Sequence, residues 1–96
     1  MRTLGMIGGT SWHSTVVYYR LINEKVIQSA DENPELLIIS INMEVMRRGN
    51  VEEIQSKYLE TSNKLIEAGA EGIIICANTP HLAFPFVQPK IKIPIL

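Results

Sequence analysis

Cysteine is almost absent from this chain. Cys76 is its single thiol in 96 residues, which excludes an intrachain disulfide and every multi-cysteine zinc site. Histidine is nearly as scarce, with His13 and His81 far apart in sequence, so no metal-ligand cluster is visible. Nine basic side chains against ten acidic ones leave a net charge of −1. Bulk charge therefore offers no footprint for nucleic acid or for an anionic membrane. Long hydrophobic runs are missing too. The apolar stretches fall far short of the ~20 residues that span a bilayer, and Leu4 to Ile7 is too short for a signal-peptide core. The expectation is one cytoplasmic α/β domain over residues 1–96.

The apolar residues that are present alternate between two kinds of pattern. Thr3 to Ile7 is a short apolar run ending in Gly8-Gly9, which predicts a buried strand. Thr10 and Ser11 are candidate N-caps. Trp12, Val16, Tyr19, Ile22, Val26 and Ala30 then recur at helical spacing, predicting one helix face, and Asn33-Pro34 closes it. Leu36 to Ile41 lacks polar alternation, as expected of a parallel strand covered on both faces. Asn42 to Asn50 is a loop or a short helical turn.

Val51, Ile54, Tyr58, Leu65 and Ile66 form a second helical stripe. Glu52 and Glu53 suit its positive end, and Gly69 fits the C′ position. Gly72 to Cys76 is the most apolar strand. A short third helix follows Thr79-Pro80, interrupted by Pro85 and closed by Pro89, and Ile93 to Leu96 starts a fourth strand. The order βαβαβαβ predicts a parallel sheet with helices on both faces. The chain stops inside that apolar strand, which suggests the front part of a longer protein.

Ligands of such sheets bind beyond the carboxyl ends of the strands. Three segments meet that rim: Gly8 to Ser11, Asn42 to Arg48, and Cys76 to His81. The first opens a helix and would favour a small anion, although two glycines also make a tight turn with no ligand. It matches neither a dinucleotide fingerprint nor a P-loop. Cys76 stands at a strand end just before a helix, a place that lowers a thiol pKa. The plain alternative is a small buried core thiol. Asn78 and Thr79 follow and could hold a carboxylate beside the sulfur. His81 could pair with Cys76 as a nucleophilic couple, or simply hydrogen-bond within its own turn. Arg47 and Arg48 could hold a substrate carboxylate, though loop arginines are more often solvated. His13 reads as solvated surface, and Trp12, Tyr18 and Tyr19 as core and rim packing.

Taken together, the rim segments resemble the aspartate/glutamate racemase family, which works without pyridoxal phosphate. Ile7-Gly8-Gly9-Thr10-Ser11-Trp12-His13-Ser14-Thr15 and Tyr18 to Asn23 look like its N-terminal signature. Family members usually read Gly-Gly-Met-Ser-Trp-Glu-Ser-Thr there, so Thr10 and His13 depart from it. Cys76-Ala77-Asn78-Thr79-Pro80-His81 resembles the family's first catalytic cysteine motif, Cys-x-Asn-Thr-x-His. The resemblance covers essentially the whole chain.

It implies two similar α/β domains with an amino-acid substrate between them and no cofactor. One thiol takes the α-proton and a second returns a proton on the other face. By that resemblance Cys76 is one of the two acid/base thiols. Thr10, Ser11, Asn78 and Thr79 hold the carboxylate and the developing charge. Arg47 and Arg48 match only poorly the loop that senses the substrate side chain. The second thiol would come from a second domain, a separate chain, or another copy of this chain. Without it the chain alone should not racemise. Three other readings stand beside this one: a Cys76/His81 hydrolase, a non-catalytic module binding a small anion or carboxylate, and an interaction protein presenting its C-terminal strand.

Overall fold

The computed structural model describes residues 3–9, 12–30, 35–76 and 84–96. Strand β1 spans Leu4–Gly8, helix α1 Trp12–Ala30, strand β2 Leu36–Ser40, helix α2 Met43–Arg47, helix α3 Val51–Glu67 and strand β3 Gly72–Ile75. A short helix α4, Phe84–Val87, runs into a 3-10 turn at Gln88–Lys90. The sheet is parallel with order β2-β1-β3. Ile95 adds one parallel bridge to Ile73, fixed by Ile73 N–H to the Pro94 carbonyl at 2.9 Å and Leu96 N–H to the Ile73 carbonyl at 2.8 Å. The expected fourth strand therefore begins at the β3 edge.

The order of the strands dictates which face each helix covers. From β1 the chain steps to β2 on one side, then returns across β1 to β3. Right-handed crossovers in opposite directions place their helices on opposite faces. Gly5 and Gly8, three apart on β1, confirm this, because residues an odd number apart point to opposite sides. A Cβ on Gly5 would meet Leu65 of α3 and Ala70, whereas one on Gly8 would meet Thr15 of α1. Helices thus lie on both faces, as the sequence predicts.

The main core lies on the α3 face. Ile7, Ile73 and Ile75 of the sheet pack there with Ile54, Tyr58 and Leu65 of α3 and Val87 of α4. Helix α3 starts where expected. The Asn50 side chain accepts from the Glu53 N–H at 3.0 Å, and Glu52 and Glu53 fill the first turn. Gly69, at φ 109°, follows the C-cap Ala68 in the left-handed conformation that ends helices. The Asn42 side chain likewise accepts from the Glu44 N–H at 2.9 Å at the start of α2.

The α1 face departs from expectation. Only α1 covers it among the described residues, and α1 packs on β1 rather than on β2. Strand β2 is therefore an edge strand. Its Ile38 is 44% exposed instead of covered on both faces. The inward stripe of α1 keeps Ile22 and Val26 as expected but departs from expectation in the first turns. Thr15, Tyr18, Ile22 and Val26 are the half-buried residues, while Trp12, Val16 and Tyr19 face outward. Packing of Trp12 and Tyr19 into the core is thus corrected, because one helix on one strand has room for a single narrow stripe. Pro85 lies within α4 and Pro89 in the 3-10 turn that follows, and the part of the expected helix before Phe84 lies outside the described residues. Asn33-Pro34 and Thr79-Pro80 lie outside the described residues. Among the described residues no helix is long and apolar enough to cross a membrane.

Candidate functional site

The carboxyl ends of all three strands are tied together by backbone hydrogen bonds. Cys76 N–H donates to the Ile7 carbonyl at 2.9 Å, and Ile41 N–H donates to the Gly8 carbonyl at 2.7 Å. Gly9, at φ 104°, then turns out of the sheet directly against the backbone of Ile41. The rim of the sheet is accordingly a rigid frame. Cys76 continues β3 by one residue, opposite Gly8 when the register of β1 and β3 is extended, and so points to the α1 face.

Cys76 is fully buried. Its sulfur makes one weak contact, 3.9 Å to the Ile74 carbonyl. Burial pushes the thiol up to about 11 from an ordinary 9.0, because the thiolate loses its hydration in an apolar surround. The lowered pKa expected from a strand-to-helix position is therefore not what these surroundings produce. Desolvation is the cause of this shift among the described residues, and it favours the protonated form.

Arg47 and Arg48 close α2 on the opposite side of the frame, and both are exposed. The Arg48 guanidinium pairs with Glu53 in the first turn of α3, so its charge serves the loop between the two helices. His13 is exposed, as expected, and stacks on Trp12 with ring centroids 3.6 Å apart. Thr10, Ser11, Asn78, Thr79 and His81 lie outside the described residues.

One residue at the frame was given no role by sequence reasoning. Thr15 holds its Oγ1 over Gly8, buried and with no hydrogen-bond partner among the described residues. The available signal was a small polar residue on the inward side of α1, placed against a glycine on β1. Helix α1 has no acidic residue in its first turn, whereas α3 has two. The positive end of α1 therefore carries no carboxylate of its own beside this corner of the frame.

Parallel β-strands, a glycine turn into α1 and a cysteine at the end of β3 define a recognisable class of α/β domain. The chain matches the family model Asp/Glu/Hydantoin racemase over residues 7–96 and belongs to that family. Two solved structures are similar over all of it. One is a candidate Asp/Glu racemase from Yersinia pestis, 29% identical with a TM-score of 0.90. The other is an aspartate racemase homologue from Pyrococcus horikoshii OT3, 36% identical with a TM-score of 0.91. The chain spans 44% of the length of each.

Proposed function

We propose that residues 1–96 form one α/β half of a cofactor-independent amino-acid racemase, with Cys76 as one of its two acid/base thiols. The observation that carries this reading is the place of Cys76: at the end of β3, hydrogen-bonded to the end of β1, in a chain of the racemase family. Thr10, Ser11, Asn78 and Thr79 hold the substrate carboxylate and the charge that develops on it as the α-proton leaves. Aspartate and glutamate are the substrates to test first, from the names of the relatives. Inversion needs a second thiol on the opposite face, which one Cys cannot provide.

The test is ¹H NMR of L- and D-aspartate and glutamate with the chain in D₂O, followed by chiral chromatography. Binding with α-proton exchange, no net inversion, and loss of exchange in Cys76→Ala is the expected result. No binding of any of the four amino acids, or exchange unchanged in Cys76→Ala, would remove the reading. The burial of the thiol favours one rival, an anion-binding module that catalyses nothing. In that case phosphate and dicarboxylates would raise Tm equally in wild type and Cys76→Ala.

A further inference from the structure

Successive residues of a strand point to opposite faces. Ile7, Ile73 and Ile75 belong to the core on the α3 face, so Gly8 of β1 and Ile74 and Cys76 of the β3 strand line turn to the α1 face. Gly8 has no side chain, and Thr15 of α1 fills the space that one would take. A Cβ on Gly8 would collide with Thr15 Oγ1 and come within 2.9 Å of Thr15 Cγ2. The Thr15 hydroxyl therefore stands in the side-chain position opposite Cys76 when the register of β1 and β3 is extended. One strand spacing, about 4.8 Å, separates two such positions.

Thr15 Oγ1 is buried and has no partner among the described residues. The Cys76 sulfur is buried on the same face and donates weakly to the Ile74 carbonyl at 3.9 Å. Ionisation reverses what the sulfur needs. A thiolate has no proton to donate, the Ile74 carbonyl then repels it, and an O–H or N–H donor must hold it. The sheet brings no charge, since its strands read Leu-Gly-Met-Ile-Gly, Leu-Leu-Ile-Ile-Ser and Gly-Ile-Ile-Ile. From α1 the titratable side chains are His13, Tyr18, Tyr19, Arg20, Glu24 and Lys25, of which Tyr18 is half-buried and the rest are exposed.

We propose that Thr15 is a positioning residue for Cys76, its hydroxyl donating a hydrogen bond to the sulfur whenever the sulfur is ionised. Rotation about the Cys76 Cα–Cβ bond turns Sγ from the Ile74 carbonyl toward Thr15, with no movement of the backbone. The Thr15 methyl packs on Gly8 and keeps the hydroxyl at this corner. The positive end of α1 acts in the same direction, since Thr15 lies in its first turn and no acidic residue of that turn neutralises it. The use of this bond rests on the racemase reading. There the thiol proton passes to the α-carbon of the substrate carbanion, the S–H bond breaks, and its electron pair stays on sulfur. Proton removal is the reverse. Both directions pass through the thiolate that Thr15 holds.

The bond itself is tested without substrate. Cys76 is the single thiol, so alkylation by iodoacetamide between pH 8 and 10, followed by intact mass, reads its thiolate alone. Thr15→Val removes the donor and keeps the shape. A rise of about one unit in the thiol pKa lowers the thiolate fraction about tenfold, and the more basic sulfur regains about a factor of three in reactivity. Alkylation should therefore slow about threefold. Thr15→Ser, which keeps the hydroxyl, should stay near the wild-type rate. A merely structural Thr15 predicts the opposite sign, because loosened packing over Gly8 exposes the sulfur and speeds the reaction. An unchanged or faster rate in Thr15→Val would overturn the proposal, as would a Thr15→Ser as slow as Thr15→Val. A Thr15→Val that fails to fold by circular dichroism would overturn it too, since the hydroxyl would then be structural. Slowed alkylation in a chain that binds none of the four amino acids would keep the bond and remove the racemase reading. An unslowed rate beside Cys76-dependent exchange would remove the bond and leave that reading standing.

Discussion

Gly9 and Ile41 are in backbone contact: at φ 104° the α-carbon of Gly9 faces the amide and carbonyl of Ile41, and no Cβ fits between them. This contact joins the turn after β1 to the end of β2, and it fixes where the chain leaves the sheet for α1. Gly9→Ala meets two penalties, a left-handed backbone and a clash with main chain that has no rotamer to yield. A loss of about 3 kcal/mol or more is expected. Gly69 has nearly the same torsion, φ 109°, but open space around it. Gly69→Ala should lose only about 1 kcal/mol. Urea denaturation of the two variants separates strain from collision, and equal losses would mean that the Ile41 contact is immaterial.

The buried thiol makes stability depend on pH in the alkaline range. Its folded pKa of about 11 lies above the ordinary 9.0, so the folded state holds the proton more tightly than the unfolded one. The contribution is complete below pH 9 and is lost as pH rises toward 11, on the order of 2–3 kcal/mol. Denaturation of wild type and Cys76→Ala between pH 8 and 11 should show a steeper decline in wild type than in the variant, which keeps only the titration of its lysines and tyrosines. Alkylation by iodoacetamide at pH 8 should also run far below a free thiol, since only roughly 0.1% is thiolate there. Fast alkylation of folded protein would show that the surroundings of the sulfur stabilise the thiolate.

Thr15 predicts a gain. Its hydroxyl is buried over Gly8 without a partner among the described residues, and an unpaired buried polar group opposes folding by about 1–3 kcal/mol. Thr15→Val keeps the shape against Gly8 and removes the cost. Stability equal to or above wild type is expected from thermal melts. A loss of more than about 1 kcal/mol would show that the hydroxyl has a partner in solution, such as a buried water.

The strands and long helices were legible because their signals are local. Apolar runs between glycines gave β1 and β3, and the stripe Ile54, Tyr58, Leu65, with Glu52 and Glu53 in its first turn and Gly69 past its end, gave α3 almost to the residue. The apolar run from Gly72 to Cys76 located Cys76 at the rim for the same reason, since it stands at the end of its own strand. Two features were not legible. The inward side of α1 was legible at Ile22 and Val26 but not at Trp12, Val16 and Tyr19, because an apolar helix offers several stripes and only the strand beneath selects one. The sequence left Cys76 between a thiol activated at the rim and a small buried core thiol, because desolvation comes from the whole surround of a side chain and not from its place in the chain; the structure buries it.

The sequence by itself determined the α/β class, the parallel sheet with helices on both faces and the family, since periodicity and motif spacing act over a few residues at a time. The tertiary structure alone decided that β2 is an edge strand among the described residues, that Trp12, Val16 and Tyr19 face outward, and which of the two readings of Cys76 holds. Each follows from strand order. The chain steps to β2 and then back across β1, so one helix is left on the α1 face while the others gather opposite. No local pattern records how many helices a face receives, because that number is fixed only when distant strands pair.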